Sequence, residues 1–141
     1  MRILKPNFKR TVDGIEGFAL VVVQDAVSAE VLMVAFTDEA GWRKTVETGL
    51  AYLYSTSRRK SRIKGEESGD FLKVVKMLVG CAGDALVYVV EPQGNKRACH
   101  TGTRSCFYRG VVGLYQESPP NEADHEELKY VEMKVHENIR V

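Results

Sequence analysis

The chain has 141 residues, 44% of them hydrophobic and 28% charged, and a net charge of +1. That length and balance fit one soluble domain with a real core, and give no general electrostatic case for binding nucleic acid. No apolar run approaches the ~20 residues that span a bilayer. Three cysteines without a secretory leader pattern argue against a disulfide scaffold and for a reducing cytoplasm.

Residues 1–10 are short and basic and lead into the domain. Residues 18–23, Phe-Ala-Leu-Val-Val-Val, predict a strand buried on both faces. A turn over 25–30 and a second apolar run over 31–36 complete an antiparallel hairpin. Thr37-Asp38-Glu39 reads as a helix start, with Thr37 as the cap and the acids at the positive end of the dipole. The helix runs through Ala40, Trp42 and Val46 to a stop at Gly49. Gly41 inside it costs about 1 kcal/mol against alanine. Trp42 reads as a core or edge anchor.

Residues 50–54 predict a third strand with Tyr52 and Tyr54 on one face. Five of the seven residues from 58 to 64 are basic. They form either a local anion site or a solvated charged loop. Nucleic acid is the weaker choice because no aromatic residue interleaves with the cations. Strands over 71–79 and 85–90 flank Gly80-Cys81-Ala82-Gly83-Asp84, which puts Cys81 at a turn. Residues 92–96 are a loop. After the cysteine-histidine segment come a short strand over 111–115, a surface loop over 116–127 and a closing strand over 130–135. His125 and His136 in this polar tail read as having no part in chemistry.

The chain is organised around Arg97-Ala98-Cys99-His100-Thr101-Gly102-Thr103-Arg104-Ser105-Cys106-Phe107-Tyr108-Arg109, which holds two of the three cysteines. Two thiolates on one tetrahedral zinc sit roughly 4 Å apart. Seven positions span about 10 Å on a helix and about 23 Å on a strand. If Cys99 and Cys106 share a metal within one chain, the segment must fold back, and Gly102 can make that turn. The spacing is not that of a zinc-finger knuckle. Three thiolates leave one zinc position open, the mark of a catalytic site. His100 is the natural base, with Arg104 and Arg109 as nearby cations. Buried thiols, the ordinary state of free cysteine, are the competing reading.

With these residues in view, the chain resembles the phosphoribosyl-AMP cyclohydrolase family, which opens an adenine ring in histidine biosynthesis. The likeness runs from about residue 31 to 109. It is carried by Val31-Leu32-Met33-Val34-Ala35-Phe36, Thr45-Val46-Glu47-Thr48-Gly49, Ser57-Arg58, Lys64-Gly65-Glu66 with Ser68-Gly69, Gly83-Asp84-Ala85-Leu86, Ala98-Cys99-His100-Thr101-Gly102 and Ser105-Cys106-Phe107.

The resemblance implies one α+β domain, mainly antiparallel sheet with one principal helix. It also implies a compact interlocked cytoplasmic homodimer whose zinc site lies at the subunit interface, with residues 116–141 outside the recognised motifs. The zinc ligands would be Cys81, Cys99 and Cys106. The substrate would be 1-(5-phosphoribosyl)-AMP, cut at its N1–C6 bond, with zinc activating the water and His100 moving protons. Ser57, Arg58, Lys64, Glu66, Ser68, Gly69 and Arg104 would bind this substrate.

Departures from the family pattern cluster in two places. The magnesium-binding acids expected around Cys81 are reduced to Asp84, because Gly80 and Ala82 stand at the other two positions. One carboxylate can hold magnesium only if waters and substrate phosphate complete its octahedron. In the substrate loop the family favours arginine at Thr56, leucine-tryptophan at Ser61-Arg62, threonine at Glu67 and histidine at Asp70. Two other readings stay open: a divergent relative acting on another purine-like or phosphorylated substrate, and a non-catalytic dimer clamped by zinc.

Overall fold

The structure is a computed structural model that describes residues 5–111 and, for the backbone, 130–132. Its spine is β2 (Ile15–Asp25), eleven residues long. On one edge β2 pairs antiparallel with β3 (Val31–Asp38), with Leu20 opposite Phe36. On the other edge it pairs first with β1 (Arg10–Val12), antiparallel, and then with β7 (Ala85–Pro92), parallel. Antiparallel to β7 lies β6 (Leu72–Val79). The result is a five-stranded mixed sheet. Three smaller pieces complete the fold: α1 (Glu39–Thr48), the hairpin β4 (Tyr52–Ser55) with β5 (Lys60–Ile63), and the pair β8 (Arg109–Val111) with β9 (Tyr130–Glu132). The architecture is the α+β class expected, with one helix among the described residues and mostly antiparallel pairing. Among the described residues no helix is long and apolar enough to cross a membrane.

The hairpin of β2 and β3 forms because Asp25 closes its turn. One carboxylate oxygen accepts the backbone N–H groups of Val27 at 2.8 Å and Ser28 at 3.0 Å, the aspartate turn that competes well with longer loops. The expectation that β2 is buried on both faces is corrected. Ala19, Val21 and Val23 are fully buried, while Leu20 and Val22 on the opposite face are half-buried. The alternation continues across the sheet, since Leu86 and Tyr88 of β7 pair with Val21 and Val23. These residues, with Leu32, Leu53, Leu72 and Ala98, form the core. Trp42 packs against it from α1 and donates its Nε1–H to Met77 Sδ at 3.3 Å.

Three local expectations change. Asp38, not Thr37, caps α1, accepting the Gly41 N–H at 2.8 Å. Thr37 instead is buried within β3, opposite Ala19. The third strand begins at Tyr52, and Leu50 makes only an isolated bridge to Lys73. The basic stretch is not all loop, because residues Lys60–Ile63 form β5 against β4, with Ile63 opposite Tyr52. The left-handed Gly49 ends α1 as read. β1 was not expected at all; three residues carry too little periodicity to be seen. The readings for 116–127 and for His125 and His136, and most of the two terminal strand readings, lie outside the described residues.

Candidate active site

The segment from Ala98 to Cys106 folds back on itself. The Ala98 N–H reaches Arg104 O, the Cys99 N–H reaches Thr103 O, and the Gly102 N–H returns to Cys99 O. Gly102 sits at φ +89°, a conformation that costs a residue with a Cβ. The returning limb is fastened to the start of β3. The Cys106 N–H donates to Leu32 O at 2.7 Å, and the buried Ser105 hydroxyl to Val31 O at 2.8 Å. Cys99 and Cys106 are thereby brought close enough for each to perturb the other's ionisation.

Their environments differ. Burial opposes ionisation of Cys99, but hydrogen bonds from the Thr101 hydroxyl (3.0 Å to Sγ) and backbone N–H, then from Thr103 and Cys106, outweigh it and bring its pKa down to about 7. Cys106 is pushed up to about 11, first by burial and then by the neighbouring Cys99. The pair therefore carries one readily formed thiolate, and the second forms only if a cation compensates the charge.

Cys99 and His100 line a cavity of about 520 Å³, the size of a small-ligand site. Met33, Ala35, Leu53 and Tyr54 form its apolar wall. Lys64, Glu66 and Ser68 of the expected substrate loop line it too, while Ser57, Arg58 and Gly69 do not. Arg58 is turned outward to Glu67, at 3.0 Å. Arg62 lines the cavity but is held by Glu66 at 2.6 Å and Glu67 at 3.7 Å. Lys64 has no carboxylate partner among the described residues.

Arg104 is placed elsewhere. Its guanidinium donates to Asp25 Oδ2 at 2.8 Å and lines a second cavity with Lys96 and Gln93. Sequence reasoning passed over Arg97, whose side chain lines the first cavity and bonds the buried Asp70. No pattern on the sequence pairs those two; they meet because two loops do.

Cys81 is exposed in the turn between β6 and β7, as read. Among the described residues no three histidine, cysteine or acidic side chains converge within one chain, so Cys81 does not join the other two thiols there. Asp84, beside it, is buried and ion-paired with Arg10. The register explains the pair, since β1 and β7 follow each other along the same edge of β2, with Arg10 opposite Phe18 and Ala85 opposite Leu20.

The phosphoribosyl-AMP cyclohydrolase family model matches residues 33–108, from the β3 wall of the cavity through the whole thiol loop. The chain belongs to the phosphoribosyl-AMP cyclohydrolase family. A phosphoribosyl-AMP cyclohydrolase of Methanothermobacter thermautotrophicus is 49% identical over 107 residues, 76% of this chain and 75% of that protein. One from Methanoregula boonei is 51% identical over 98 residues, 70% of this chain and 78% of that protein. A histidine biosynthesis bifunctional protein of Aquifex aeolicus is 48% identical over 104 residues, 74% of this chain. There the chain spans about half the relative's length, 50%. Cyclohydrolases are hydrolases acting on a cyclic C–N bond, and the matched residues take in the whole cavity lining and both thiols of the loop.

Proposed function

We propose that this chain opens the adenine ring of 1-(5-phosphoribosyl)-AMP by hydrolysing its N1–C6 bond, as a zinc-dependent homodimer. The observation that carries the reading is the fold-back that sets Cys99, with Cys106 behind it, at the wall of a cavity that also presents His100 and Lys64.

The two thiols fit zinc. They are neighbours, one is acidified, and a hydroxyl already donates to its sulfur, as thiolate ligands favour. They supply two ligands, and an exposed Cys81 from a second copy would supply the third. Zinc bound there would contribute Lewis acidity and lower the pKa of water to the range of neutral solution. Support for the second copy comes from the sheet. Its face away from the core carries Leu20, Val22, Val34, Phe36, Leu78 and Val87 by register, with Val34 and Leu78 45% and 43% exposed. An apolar sheet face of this kind is ordinarily covered.

The residues do not fit magnesium. Gly80 and Ala82 offer no carboxylate, and the one acid present, Asp84, is neutralised by Arg10. A hard dication has nothing to displace the guanidinium for.

The protein's own groups account for the rest of the reaction. The apolar wall of Met33, Leu53 and Tyr54 receives the base, and Lys64 faces a phosphate. Water adds to C6 as the N1–C6 bond breaks. The oxygen becomes the carbonyl of the new carboxamide, and N1 keeps the formamidine and takes up a proton. Exposed in the cavity and held by no partner among the described residues, His100 can turn between the attacking water and N1. The test is a spectroscopic assay of ring opening with purified, zinc-loaded protein. Turnover of phosphoribosyl-AMP supports the reading, and a zinc-replete dimer that leaves the compound intact rejects it.

A further inference from the structure

We infer that Arg97, clamped by the buried carboxylate of Asp70, is a specificity-determining residue that receives a phosphate oxygen of the substrate. This rests on reading the cavity as the site of a two-phosphate nucleotide.

Asp70 is 4% exposed and its two oxygens have separate tasks. Oδ1 accepts the Asn95 N–H at 2.7 Å, and Oδ2 accepts Arg97 Nε–H at 3.2 Å. Two glycines let the loops close around it. A Cβ at Gly94 would meet Asp70 Oδ1 at 2.6 Å, and one at Gly65 would meet the Asp70 backbone carbon at 2.5 Å. The carboxylate is thus a fixed peg between the substrate loop and the segment that leads into Cys99.

Its effect on Arg97 is orientation. Among the described residues only Nε is used, so the terminal nitrogens keep their donors, and the side chain is 43% exposed in the cavity wall. The cavity's other arginine, Arg62, is already occupied by two glutamates. Among the described residues that leaves the terminal N–H groups of Arg97 and the ammonium of Lys64 as the cationic donors open toward a ligand. A guanidinium fork held by a carboxylate at Nε presents two parallel N–H groups, the geometry that matches a phosphate. Asp70 itself touches no ligand in this scheme; it is a positioning residue, and it does not replace the acids missing around Cys81.

The test compares wild type with Arg97→Met, Arg97→Lys and Asp70→Asn, each checked for an unchanged melting profile. With phosphoribosyl-AMP as substrate, Arg97→Met should raise KM about 10–100-fold and leave kcat within about threefold. Arg97→Lys should recover only part of the loss, and Asp70→Asn should raise KM less than Arg97→Met. A KM within about twofold of wild type in Arg97→Met, while turnover persists, overturns the inference and leaves the proposed activity standing. If wild type shows no turnover, calorimetric binding of AMP and of ribose 5-phosphate decides the point separately. At least tenfold weaker binding of one probe to Arg97→Met supports the anion contact. Equal binding, or a wild type that binds neither probe, overturns it.

Discussion

Two turns carry the cysteines, and they are built in opposite ways. The 98–106 loop is closed by its own backbone, fastened to β3, and holds two neighbouring thiols with one of them acidified. The 80–84 turn is a tight strand connection, closed by Gly80 N–H to Ala85 O and Gly83 N–H to Gly80 O, that leaves one thiol exposed and buries a carboxylate against a guanidinium. One turn gathers two sulfurs; the other offers a single sulfur outward. A three-thiol centre made from them must be divided two and one between chains.

The largest effects should come from breaking that division. Cys106→Ser is expected to lose bound zinc and at least about 10³-fold in turnover, since a Lewis acid contributes several kcal/mol. Cys81→Ala should look the same if its sulfur serves a neighbour. Mixing the two inactive variants sharpens the point. A mixed dimer regenerates one intact site, so random association restores about a quarter of wild-type zinc and activity. No recovery would place all ligands within one chain.

His100→Ala is next in size. It should keep zinc and the dimer and lose about 10²–10⁴-fold in kcat, read by metal analysis beside the ring-opening assay. Unchanged turnover would reject the proton-transfer role.

Smaller still is the effect of magnesium, which distinguishes the two turns directly. Adding it to zinc-loaded protein should change turnover by less than about twofold, because Asp84 is already paired. A strict magnesium requirement would mean that Arg10 yields its place.

The smallest expected effect concerns the brace behind the thiol loop, Asp25 with Arg104. Burial would raise the Asp25 pKa, but hydrogen bonds from Ser28, Val27 and Arg104 and the Arg104 charge hold it below 3.8. Its stabilisation is therefore complete above about pH 4 and is lost as pH falls through the lower folded value. Asp25→Asn should cost about 1–3 kcal/mol in urea unfolding at pH 7, and the gap to wild type should narrow on acidification below pH 4. A constant gap would show that the charge is irrelevant.

Much of this was legible beforehand, and the reason is range. The Asp25 turn, the Gly49 stop, the fold-back at Gly102 and the placement of Cys81 between two strands are all short-range chemistry, written in neighbouring residues. Helix capping was misassigned by one position because Thr37 and Asp38 both carry capping oxygens; only the burial of Thr37 in β3 separates them. The basic stretch stayed open between two readings for a similar reason, since composition shows five cations but not which ones glutamates hold.

By itself, then, the amino-acid order determined the family, the helix and the long strands though not β1 or β5, and the return that brings two sulfurs together. Tertiary structure alone decided that Arg97 meets Asp70 and Arg104 meets Asp25, partners 27 and 79 positions apart. It also decided that Arg10 pairs with Asp84 and that Cys81 stands apart from the other thiols within one chain. Turns and alternation are settled by residues a few bonds away, whereas these ion pairs depend on which strands share an edge and in what register.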